Sequence, residues 1–128
     1  MRYLLDTHAL LWWLFDDPKL SSRAREVISE SENEILVSAA SAWEISTKHR
    51  LGKLPEAGDV AQRLPIYVRQ ARFTELCISI EQAQVAGDLP GPHRDPFDRM
   101  LIAQAKLLTV PVVTVDPVFR DYGATVLW

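Results

Sequence analysis

The chain has 128 residues, 48% of them hydrophobic and 24% charged, with a formal net charge of −3. At that length a single core buries roughly two-thirds of the surface an unfolded chain exposes, which argues against disorder and for one domain over residues 1–128. The charge excludes a nucleic-acid binder working by basic surplus alone, and the single cysteine, Cys77, excludes an internal disulfide framework and fits a reducing compartment such as the cytoplasm.

In chain order, "RYLLD" (2–6) predicts a first strand and the apolar run after it a helix over 8–16. Asp6 and His8 interrupt the apolar residues and Asp16 and Asp17 close them, so the stretch makes neither an uninterrupted signal segment nor the ~18–20 apolar residues of a membrane span. A soluble, unexported chain is expected. Leu10, Leu11, Trp12, Trp13, Leu14 and Phe15 put apolar groups around most of the helix, which predicts either a helix wholly buried inside the domain or an exposed second face for a homodimer mate or another partner. A helix over 21–31, a strand "EILVS" (34–38), helices over 41–51 and 59–71, and a strand "FTELCI" (73–78) follow. A helix over 79–86 then leads to the loop "GDLPGPHRD" (87–95), a helix over 96–108, and strands "VPVVTVD" (110–116) and "ATVLW" (124–128). Ser41 to Glu44 has the S-x-x-E form of a capping box and Ser79 to Gln82 the S-x-x-Q form, while Asp95-Pro96 supplies a helix cap followed by proline.

This alternation predicts an α/β fold with a mostly parallel sheet covered on both faces. In such sheets the ligand crevice lies outside the carboxyl ends of the strands. Asp6 ends the first strand and Asp116 the fourth, and Glu44 and Asp98 are placed in the first turns of two helices. Singly, each acid has a plain structural explanation: Glu44 as a capping-box partner, Asp95 as a cap, Asp98 as a first-turn acid, Asp116 as a turn residue before proline. Asp6 resists best, because apolar residues bound for the core flank it. Together, four acids at one sheet edge repel one another, so the cluster must take up protons or bind a cation. Oxygen donors alone, without a cysteine pair or an H-x-x-x-H spacing, point to Mg²⁺ or Mn²⁺ and away from zinc. One or two such ions serve phosphodiester hydrolysis by polarising a phosphoryl oxygen and activating water. His8, His49 and His93 are too scattered to form a metal site among themselves and read as surface or helix-terminal residues. Cys77, inside a strand-like run, reads as structural.

"LLDTHALLW", "SAWEISTKHRLGKL", "HRDPFDRMLIAQA" and "VPVVTVD", in this order and covering essentially the whole chain, resemble PIN-domain ribonucleases, and more narrowly the VapC toxins of type II toxin–antitoxin systems. The resemblance implies a PIN-like, Rossmann-like three-layer sandwich around a five-stranded, mostly parallel sheet. It also implies Mg²⁺- or Mn²⁺-dependent cleavage of RNA, homodimerisation, and inhibition by a VapB-like antitoxin. The family's acids fall on Asp6, Glu44, Asp98 and Asp116 as catalytic and metal-holding residues. "DPFDR" offers both Asp95 and Asp98; Asp98 keeps the P-x-D and following I-A spacing of the family, leaving Asp95 as a helix cap or outer ligand. Thr7 and Thr114 resemble the small polar residues that position such sites, and Lys48, Arg94 and Arg99 are candidates for phosphate contacts. A receiver-like domain would need a lysine where "VTVDP" has aspartate, and a haloacid-dehalogenase-like phosphatase needs D-x-D where "DTH" stands. A noncatalytic PIN-like RNA-binding or regulatory module is the remaining alternative.

Overall fold

The computed structural model describes residues 1–128. Five parallel strands form one sheet: β1 (Arg2–Leu5), β2 (Glu34–Ser38), β3 (Thr74–Leu76), β4 (Val112–Val113) and β5 (Val126–Leu127), in the order β3-β2-β1-β4-β5. The chain steps outward from β1 to β2 and β3, then returns to place β4 on the other side of β1. The strand order therefore reverses between β1 and β4, where Leu4 pairs with Val112 and Leu5 with Val113. In an open parallel sheet the crevice lies there, at the carboxyl ends of those two strands.

Period-2 alternation divides the core into two layers. Leu5, Ile35, Val37 and Val113 face one side, with α1 (Thr7–Leu14), α2 (Ser22–Ser29), α3 (Ala39–Arg50), α4 (Gly58–Gln62) and α5 (Leu64–Gln70) contributing Leu10, Ala24, Ile45, Val60 and Val68. Leu4, Leu36 and Val112 face the other, against Leu101, Ile102 and Ala105 of α7 (Pro96–Leu108) and Phe119 of α8 (Val118–Asp121). Between β3 and α7 lies α6 (Ile80–Asp88), whose Ser79–Gln82 capping box forms as the sequence predicts. This is the expected three-layer α/β sandwich.

Several elements differ from the sequence reading. The helix predicted over 59–71 is two, α4 and α5, broken at Arg63 (φ −126°, ψ 27°) because Pro65 lacks an amide hydrogen and is accommodated only in a first turn. The last two strands are short, since both follow tight turns, and α8, a single turn, carries too little periodicity to be read from sequence. Cys77 lies just beyond β3 and is exposed, not structural within the strand. The apolar circumference of α1 is largely covered by this same chain: Trp12 packs edge-on against Trp128 (5.7 Å) and Trp13 against Phe73 (6.2 Å), leaving Phe15 as the exposed hydrophobic at its end. The argument for a dimer from this helix loses most of its exposed face. No helix is long and apolar enough to cross a membrane.

Candidate active site

Asp6 leaves the end of the central strand and is 4% exposed. Its backbone amide stays in the sheet, donating to Val113 O (3.1 Å), so the residue is fixed before its side chain is considered. The carboxylate caps α1, with Oδ1 accepting from the Ala9 amide (2.7 Å), and Oδ2 accepts from the Thr114 hydroxyl. Burial pushes this carboxyl up to about 6, against the opposing pull of the Thr114 and Ala9 hydrogen bonds and of His8; the nearby Asp98 adds to the rise.

Glu44 is 3% exposed, but not as the capping-box partner of Ser41. Helix α3 starts earlier than predicted, at Ala39, because Ser38 is the residue that caps it, accepting from Ala40 N (3.0 Å). Glu44 therefore lies in the second turn, and Ser41, three residues before it, shares its buried face. Thr7 joins them. Its hydroxyl donates to Glu44 Oε1 (2.6 Å) and lies 3.0 Å from Ser41 Oγ; with Thr7's one hydrogen committed to the carboxylate, the Ser41 hydroxyl must donate to Thr7. The other carboxylate oxygen pairs with the Lys48 ammonium one turn on. Burial lowers the Lys48 pKa, but its bond to Glu44 and the field of Glu44, Asp95 and Asp98 outweigh this and raise it. Lys48 is thus a counter-ion of the acids, whatever it does for a phosphate.

Asp95 and Asp98 divide the work at the start of α7. Asp95 is the cap: its Oδ1 accepts from the amides of Phe97 (2.8 Å) and Asp98 (3.1 Å). That leaves the Asp98 side chain, 21% exposed, free to face the other acids, and it contacts His93 Nε2 at 2.9 Å. Burial raises the Asp98 carboxyl, His93 opposes the rise, and repulsion from Asp95 and Glu44 adds to it. The sequence marks His93 only as a surface or helix-terminal residue; the fold of the 87–95 loop brings it to Asp98.

Arg99, expected as a candidate phosphate contact, is engaged within the protein. Its guanidinium donates to the carbonyls of Ala86 (3.0 Å), His93 (2.9 Å), Gly87 (3.3 Å) and Leu89, clamping the loop from within. Tyr122 closes the outside, its hydroxyl accepting from the His93 amide (3.0 Å) and filling the space a side chain at Gly91 (φ +96°) would need. Arg94, on the same loop, is exposed.

Asp116 is half-buried and reaches the site indirectly. Its amide donates to Thr114 Oγ1 (3.0 Å), whose own hydrogen goes to Asp6, while its Oδ1 accepts from Val118 N (3.0 Å) at the start of α8. Thus Asp6, Glu44 and Asp98 share one electrostatic field with Asp95 and Lys48, and Thr114 links Asp116 to Asp6. As placed, no three His, Cys, Asp or Glu side chains surround a common point that could hold an ion. The donor set nevertheless suits a hard divalent cation: all its ligating atoms are carboxylate oxygens, and the two acids whose charge burial disfavours are the ones a cation would relieve.

A parallel sheet with this strand order and acids at its carboxyl edge fits a PIN domain, and the PIN domain family model matches residues 3–124: the chain belongs to that family. Ribonuclease VapC16 of Mycobacterium tuberculosis is 38% identical to it over 73 residues, covering 54% of this chain and 50% of that protein, so the chain spans about half the length of the curated relative it matches. Two solved structures share the fold with a TM-score of 0.72 each: VapBC2 from Rickettsia felis bound to a promoter DNA fragment (18% identity, 99% of this chain and 98% of that one), and VapC20, a sarcin–ricin-loop-cleaving toxin of Mycobacterium tuberculosis (12% identity, 96% of each chain).

Proposed function

We propose that this chain is a Mg²⁺- or Mn²⁺-dependent endoribonuclease acting in the cytoplasm as the toxin of a toxin–antitoxin pair, held inactive by a VapB-like antitoxin. The observation that carries this reading is Asp6, a nearly inaccessible carboxylate at the topological switch point whose charge the protein alone disfavours. Asp6, Glu44, Asp98 and Asp116 would hold the cation, which supplies Lewis acidity toward a phosphoryl oxygen and offsets charge developing on the phosphodiester. Thr114 orients Asp6, and Thr7 with Ser41 orients Glu44, so each acid is presented by a hydroxyl whose own position is set by the sheet or helix behind it. Lys48 pairs with Glu44, and His93 holds Asp98 by a hydrogen bond, until the site is loaded. Glu44 would also serve as a base for a proton of the attacking water, since the carboxylate oxygen not held by Thr7 is paired with the Lys48 side chain, which can swing away.

The support is the PIN family membership together with the likeness to a named ribonuclease over half of its length. The test is incubation of the purified chain with total RNA in Mg²⁺ or in EDTA, repeated with Asp6→Asn. Cleavage that needs the metal and is lost in the variant is the expected result; metal-independent cutting, or cutting that survives the substitution, sinks the mechanism. One observation favours the noncatalytic module instead: the carboxylates are each engaged by protein groups and do not gather around one point. That reading predicts RNA binding without cleavage in either metal. Homodimerisation belongs to the same proposal, and a monomeric mass by light scattering at micromolar concentration would count against it.

A further inference from the structure

Three of the four tryptophans are half-buried in the protein's own packing. Trp43 differs. It is 63% exposed, and its aromatic neighbour is Phe97, at a centroid distance of 5.2 Å and an interplanar angle of 86°. Edge-to-face packing of this kind fixes the direction of an indole while leaving a π-face to solvent. The pair adjoins the acids along the chain, since Trp43 precedes Glu44 and Phe97 precedes Asp98. Together they wall an open, mainly apolar cleft of about 240 Å³ between α3, α6 and α7, with Ala40, Ile78, Pro96 and Met100. Ala40 and Pro96 belong to the first turns of α3 and α7, so the cleft opens from the same sheet edge that carries Glu44 and Asp98.

We propose that Trp43, braced by Phe97, takes an unpaired RNA base next to the scissile phosphate, and that this stacking contact, more than charge, holds the substrate. The inference rests on the ribonuclease reading and extends it to the way RNA is bound. A phosphodiester brought to Glu44 and Asp98 carries a base on either side, and single-stranded RNA is commonly held by bases splayed onto aromatic side chains. Stacking also answers the charge problem. With a net charge of −3 and Lys48 paired to Glu44, the chain has little free basic surface near the site, whereas a π-face binds any base without one. Exposed Arg94, one residue from the Asp95 cap, is then the remaining cation on that loop for the sugar–phosphate backbone.

Two readouts separate this proposal from the nuclease reading beneath it. In the Asp6→Asn background, titration with a random-sequence single-stranded oligoribonucleotide quenches tryptophan fluorescence, and adding Trp43→Phe removes most of that quenching. In the active protein, Trp43→Ala raises KM for a cleaved oligoribonucleotide on the order of 10- to 100-fold with kcat little changed, Trp43→Phe restores most of the loss, and an abasic nucleotide beside the cut site makes wild type and Trp43→Ala alike. Quenching that persists without Trp43, or an unchanged KM in Trp43→Ala, overturns the proposal and leaves the cleft to the apolar side chains of a protein partner. Trp43-dependent quenching without any cleavage by the wild type sinks the nuclease reading and leaves the stacking platform standing.

Discussion

Asp6 and Asp116 follow neighbouring strands of the same sheet, and each turns a carboxylate oxygen onto an amide of the helix that comes next, yet the two sit in different physical worlds. Asp6 leaves a strand paired on both sides and is sealed under α1, so its charge is costly and its position rigid. Asp116 leaves a two-residue strand, is half-buried, and faces a helix of a single turn. The two differ in burial, not in chemistry: Asp6 is sealed from water and Asp116 only partly so. Asp6 is the acid whose charge a cation, or a proton, most readily offsets.

The largest predicted effect is therefore on Asp6. With its carboxyl pushed up to about 6 from 3.8, the native state keeps a proton that the unfolded chain has lost between those values, so stability of the metal-free protein falls as pH rises through that window. Above it Asp6 costs about 3 kcal/mol relative to an ordinary carboxylate. Asp6→Asn should abolish cleavage and raise the melting temperature in EDTA at pH 7, with the gain shrinking toward pH 4; Asp116→Asn should lower cleavage with little change in melting at any pH. Equal melting shifts for the two variants would erase the contrast.

Arg99→Ala comes next. Losing a half-buried guanidinium that binds four carbonyls should destabilise the protein by about 2–3 kcal/mol and free the 87–95 loop, seen as faster amide exchange there, and Arg99→Lys should not rescue it because an ammonium lacks the planar fork. Thr114→Val tests the link between the two aspartates. Removing a fully buried hydroxyl leaves Asp6 Oδ2 and the Asp116 amide without it, a loss of about 1–3 kcal/mol in urea melts at pH 7 that should be smaller at pH 4, where Asp6 is protonated. The smallest effect is expected for Lys48→Met. Its side chain is 35% exposed, so solvent screening limits the loss to about 1 kcal/mol or less, and salt should reduce the difference from wild type.

Much of this was legible along the chain. The α/β alternation, "EILVS" and the helix from Pro96 to Leu108 follow directly from periodicity and caps, and the Asp95 cap follows from the aspartate-proline start. What was misread had competing local signals. Ser41-x-x-Glu44 matches a capping box perfectly, but Ser38 caps the helix first, which turns Ser41 from an end residue into a buried partner of Thr7. Arg99 looked like a free cation because its four acceptors are backbone carbonyls, and backbone carbonyls have no sequence signature. His93 was lost for the same reason: a loop of prolines and glycines has no period from which its path can be drawn.

The sequence by itself determined which residues enter the core and the order in which strands and helices alternate, because apolar periodicity and turn chemistry act over a few residues. It also determined that several acids follow strands. Only the tertiary structure decided how far each acid is removed from water, which hydroxyl, amide or cation meets it, and that an exposed indole stands on the ring beside Asp98. Those properties depend on segments tens of residues apart packing into one edge, and desolvation is a property of everything around a charge rather than of the residue that carries it.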